Sequence, residues 1–77
     1  MARTFIDSDL ATWEVYSSGG DHGLPQNPKI VFHCLSKPSL RARYVVYDGD
    51  STDAEEAVRE MSPDRLALLF ESSVAMD

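Results

Sequence analysis

Lys29–Asp48, KIVFHCLSKPSLRARYVVYD, decides the fold, because it reads as two apolar strands joined by one short turn. Successive side chains of a strand point to opposite faces. Ile30, Phe32 and Cys34 therefore share one face, and Val31, His33 and Leu35 share the other. A run this continuously apolar marks a central strand covered on much of both faces. In the second strand Ala42, Tyr44 and Val46 alternate with Arg41, Arg43, Val45 and Tyr47, and the two arginines are expected to set the start of their face in water. Between the strands, Ser36–Leu40 contains Pro38, which fixes one dihedral and offers no amide donor, so the ladder turns there.

Working outward, residues 3–17 read as a first hairpin. Arg3–Asp7 forms a short strand with Phe5 directed to the core, Ser8–Ala11 turns, and in Thr12–Ser17 the side chains of Trp13, Val15 and Ser17 alternate with Thr12, Glu14 and Tyr16. The loop 18–28, SGGDHGLPQNP, holds three glycines and two prolines and is expected to be an irregular surface loop long enough to make contacts. Beyond Asp48 the spacing of Thr52 and Glu55 predicts a capping box and a helix to about Met61, with Ala54, Ala57, Val58 and Met61 on its apolar stripe. Ser62-Pro63-Asp64 then starts a second helix, since serine suits the N-cap, proline the first turn and an acid the positive end of the dipole. Its stripe is Leu66, Leu69, Phe70 and Val74, with Leu68 off the stripe as an exposed apolar contact.

The expected architecture is a single α+β domain over residues 1–77: a four-stranded antiparallel sheet made of two hairpins (3–17 and 29–48), with one or two C-terminal helices (52–75) packed on one face. The other face keeps apolar groups drawn from Tyr16, Tyr47, Val45 and Leu35 according to the register. Clustered in the open, such groups mark an interaction surface.

A chain of 77 residues buries only about 60% of its unfolded surface, so its own stability is small. With 43% hydrophobic and 26% charged residues the composition is that of a globular protein rather than a disordered one. The longest apolar run, Leu66–Phe70, is far shorter than the roughly 20 residues that cross a bilayer. The first residues lack the basic-then-apolar layout of a secretory signal, which makes a cytoplasmic location the expectation. One cysteine makes no internal disulfide and no thiolate metal set.

Charge is polarised along the chain. Residues 1–28 have Arg3 against four acids, residues 29–47 have Lys29, Lys37, Arg41 and Arg43 with no acid, and residues 48–77 have two arginines against nine acids, for a net −6. A basic hairpin between acidic flanks reads first as a solvated surface with local pairing worth little per pair, and in the functional alternative as a dipolar surface that orients the domain on a larger charged partner.

Other chemistries fail on spacing. His33 and Cys34 are neighbours on a strand and point apart, and two histidines with one cysteine fall short of a structural zinc set. The run DGDSTDAEE (48–56) resembles a calcium loop, yet its sixth position is Asp53 instead of glycine and its twelfth is Arg59 instead of glutamate. Ser17-Ser18-Gly19-Gly20 lacks the lysine and helix of a phosphate loop. No catalytic constellation and no cofactor motif is left, so a non-enzymatic role is expected. Four cations in a chain of pI about 4.6 make a small footprint for nucleic acid.

The layout FIDSD (5–9), WEVY (13–16), IVF (30–32), RAR (41–43) and SPDRLALL (62–69) resembles short bacterial proteins with a strand-rich front and a leucine helix behind. As a whole the chain also looks like an accessory polypeptide on the cytoplasmic face of a bacterial photosynthetic reaction centre and light-harvesting complex. That resemblance implies a peripheral subunit held to a membrane complex by protein contacts. The expected contact residues are Lys29, Lys37, Arg41, Arg43, Tyr16, Tyr47 and Leu68, and the alternative is a small regulatory nucleic-acid binder using the basic hairpin.

Overall fold

The structure, a computed structural model, describes residues 3–19, 27–37 and 39–75. Most of the glycine- and proline-rich loop, with His22, and the turn residue Pro38 lie outside them. The elements run β1 (Arg3–Ile6), β2 (Thr12–Ser18), β3 (Lys29–Cys34), β4 (Arg43–Val46), α1 (Ser51–Glu60), α2 (Pro63–Ser72) and β5 (Val74–Ala75). The class is α+β, with an antiparallel sheet and two helices. Among the described residues the sheet has five strands rather than the expected four, in the order β1-β2-β3-β4-β5.

Register fixes the two faces. Phe5, Trp13 and Cys34 are direct partners, as are Arg3, Val15, Phe32, Arg43 and Ala75, and as are Ser17, Ile30 and Val45. All three rows lie under the helices, where Phe5, Trp13, Val15, Ile30, Phe32 and Cys34 meet Val58 of α1 and Leu66 of α2 in one core. Phe70 of α2 joins them: its ring centroid lies 4.8 Å from that of Trp13, 5.3 Å from Phe32 and 5.4 Å from Phe5. Edge and tilted geometries of this kind add to the area that the rings remove from water.

The alternation of 41–47 is as expected, but its sides are exchanged. Arg43 does not begin a wet face. It lies half-buried beneath α2, its Nε donating to Ser73 Oγ (2.8 Å), its Nη2 to the Ser73 carbonyl (2.6 Å), and its guanidinium 5.5 Å from the Phe70 ring centroid. At the other end of the same row Arg3 donates to the carbonyls of Val58 (3.1 Å) and Met61 (2.7 Å). Each helix thus has its C-terminal carbonyls met by an arginine from a strand. A cation at that end suits both the unpaired carbonyls and the negative pole of the dipole. α2 needs it more, having no basic residue in its last turn.

Both helices start on local chemistry. Ser62 caps α2 by accepting from the Arg65 N–H (3.2 Å), with Pro63 following, as its sequence predicts. The cap of α1 lies two residues before the expected one. It is Asp50, which accepts from the Asp53 N–H (2.9 Å) while Asp53 accepts from the Asp50 N–H (3.2 Å), so the box is Asp50/Asp53 and not Thr52/Glu55. Gly49 (φ 149°) makes the choice possible, because a Cβ there would sit 2.9 Å from Asp53 Oδ2. The helix-stripe expectation for Val74 is also corrected: the helix stops at Ser72, and Val74 pairs with Tyr44 in β5. Among the described residues no helix is long and apolar enough to cross a membrane.

Candidate interaction surface

The face of the sheet turned away from the helices is built from four rows. The outermost is Ile6 and Thr12, extended by Leu35, whose N–H donates to the Thr12 carbonyl (2.8 Å). Next come Thr4, Glu14 and His33; then Tyr16, Val31, Tyr44 and Val74; then Ser18, Lys29 and Val46. No described helix lies against this face. Ile6 is 61% exposed, Val46 55% and Val74 52%, while Val31, between the two tyrosines, is buried. Lys29 lies along the same face with its Nζ 5.1 Å from the Tyr44 ring centroid. Glu14 and Lys29 are the two formal charges among these residues, and they cancel.

The residues expected to bind a partner are dispersed. Tyr16 and Lys29 are on the open face, together with Leu35 from the apolar set. Tyr47 and Val45 pack against the core on the helix side, because the arginine row occupies the side the sequence assigned to water. Arg43 is committed to Ser73. Lys37 and Arg41 are exposed in the connection between β3 and β4, at the far end of β3 from Lys29. Leu68 is 62% exposed on α2, on the opposite side of the domain from the open face. Sequence reading passed over Glu14, Val46 and Val74, although the alternation of Tyr44 with Val46 already put those two on one side.

The loop between β1 and β2 borders the surface. Asp7 organises it, accepting from the N–H groups of Asp9 and Ala11 (2.9 Å each) and from Trp13 Nε1 (2.9 Å). Burial acts to raise the Asp7 pKa, but the bonds from Trp13, Ala11 and Asp9, with the charge of Lys37, outweigh it and hold the carboxyl below its ordinary value of 3.8. A depressed carboxylate stabilises the fold fully above its unfolded pKa and loses that contribution as pH falls through the folded one. Asp7→Ala is therefore expected to cost about 1–2 kcal/mol at pH 7. Urea melts at pH 7 and pH 3 check the sign: the gap between the parent chain and the variant narrows in acid.

Two concavities accompany these features. A cleft of about 270 Å³ is lined by Asp7, Asp9, Trp13, Arg41, Arg43 and Phe70. Two of its charges, Asp7 and Arg43, are already engaged within the fold. A larger groove of about 580 Å³ follows α1 and the start of α2, with Asp48, Asp53, Glu56 and Glu60 facing a single Arg65. Among the described residues no group of three or more His, Cys, Asp or Glu side chains is placed to hold a metal ion. Cys34 is a buried free thiol on the core side, and His33 is exposed on the other.

Against known proteins, the chain matches no family model, no curated protein and no solved structure. The surface is therefore interpreted on its own geometry.

Proposed function

We propose that this chain is a non-catalytic protein–protein interaction module, a small peripheral subunit that bridges or stabilises a larger assembly and docks through its open sheet face. The observation that carries the reading is that face itself: a charge-balanced surface with Ile6, Val46 and Val74 each more than half exposed, on a chain of net charge −6. Depletion of charge at the centre of a patch, with apolar and tyrosine side chains there, is the compositional mark of an interface core. The photosynthetic complex of the resemblance is one assembly such a subunit would serve. The nucleic-acid alternative gains no support from the geometry, since Lys29, Lys37, Arg41 and Arg43 do not share a face.

The test is a pair of surface substitutions in tagged protein expressed in its source cells. Val46→Asp places a charge in the open face and is expected to abolish retention of partners on a sizing column, at a stability cost within about 0.5 kcal/mol. Leu68→Asp, on the helix side, is expected to leave retention unchanged. Loss with Leu68→Asp but not Val46→Asp would move the interface to the helices, and a parent chain that retains nothing would end the reading.

A further inference from the structure

We infer that the occupant of the open sheet face is a second copy of this chain, packed face to face about a two-fold axis. This rests on the reading of that face as a docking surface and adds the identity of the partner. Charge first restricts how two copies meet. α1 and α2 together carry six acids against two arginines. Two helix layers would therefore repel each other, whereas the described residues of the open face carry one acid and one base.

The placement of those two charges is self-complementary. Glu14 lies in the row on one side of Tyr16–Val31–Tyr44–Val74, and Lys29 lies in the row on the other side. An in-plane two-fold axis along that central row lays the row on its own copy. It also carries the Ser18–Lys29–Val46 row of each molecule over the Thr4–Glu14–His33 row of the other. Lys29 then stands above His33 of its partner, one strand spacing, about 4.8 Å, from Glu14. The contact occurs twice, as an isologous interface requires. An axis parallel to the strands would instead set Lys29 against Lys29, so the charges select the first arrangement.

Size sets the strength. A five-stranded face with four rows measures roughly 20 by 20 Å. Two such faces bury about 800 Å² in all, below the roughly 1,000 Å² of a standing specific interface. The dimer is thus a weak, concentration-dependent one.

Sedimentation of the full chain over a concentration series tests this. The parent chain is expected to shift from 8.6 kDa toward twice that mass. Glu14→Lys and Lys29→Glu are each expected to weaken the dimer about tenfold or more, since each converts two attractions into two repulsions. An equimolar mixture of the two variants restores it, because the mixed pair regains both contacts. Both substitutions are at the surface, and circular dichroism of each variant confirms that it is folded. A dimer indifferent to both variants, or one the mixture fails to restore, overturns the proposal. A chain that stays monomeric at about 1 mM also overturns it. If that monomer still loses its cellular partners on Val46→Asp, the interaction-module reading stands and only the second copy falls.

Discussion

Phe32→Ala is expected to remove a large share of the stability of this fold. Phe32 is fully buried at the middle of the central strand, edge-on to Phe5 and Phe70. Truncating a buried phenylalanine costs about 3–5 kcal/mol through lost transfer free energy and the cavity left behind. A chain of this length has about 4–12 kcal/mol in total. The melting temperature should fall by at least about 15 °C. Thermal unfolding followed by near-ultraviolet circular dichroism reads this directly, because Trp13 stands in the same aromatic cluster. A variant that melts within a few degrees of the parent would mean that Phe70 and Phe5 collapse into the space, and that the core is much softer than its burial implies.

Arg43→Ala ranks second, at about 2–3 kcal/mol. The substitution removes two charge-assisted hydrogen bonds and the stacking on Phe70, and it leaves Ser73, only 4% exposed, with a carbonyl deprived of its donor. Arg43→Lys is expected to recover less than half of the loss. An ammonium restores the charge but not the planar fork that reaches the hydroxyl and the carbonyl together. Urea melts of both variants measure the difference, and equal stabilities for the lysine and alanine variants would show that charge contributes nothing at this helix end.

Local chemistry was legible in the sequence and long-range chemistry was not. Ser62-Pro63-Asp64 states a helix start within three residues, and the alternation of Trp13 and Val15 with Glu14 and Tyr16 is visible in one strand. The α1 cap was misread because DGDSTDAEE contains two overlapping boxes. The Asp50/Asp53 box takes precedence because Gly49 admits the Asp53 carboxylate against the backbone. β5 was hidden because Val74–Ala75 has no strand signal of its own. It exists where Arg43 fastens Ser73 beside β4. The candidate surface depended on the same point: Tyr16 was placed by pattern, whereas Tyr47 was assigned to the wrong side because an arginine on a strand reads as a solvent marker. Here Arg43 is a clasp on a helix end.

The row that holds Arg3 and Arg43 also imposes a timetable. The guanidinium of Arg3 has its two carbonyl acceptors 55 and 58 residues further along the chain. During synthesis at about 5–20 residues per second, β1 emerges several seconds before the turn of α1 that it will hold. Until then the first two hairpins have both faces wet, the aromatic one included, and no helix to cover them. Contacts that close over such distances slow the search for the native arrangement. The newborn chain is accordingly most exposed to sticking or to chaperone capture between the exit of β4 and the exit of α2, and least so once Phe70 arrives.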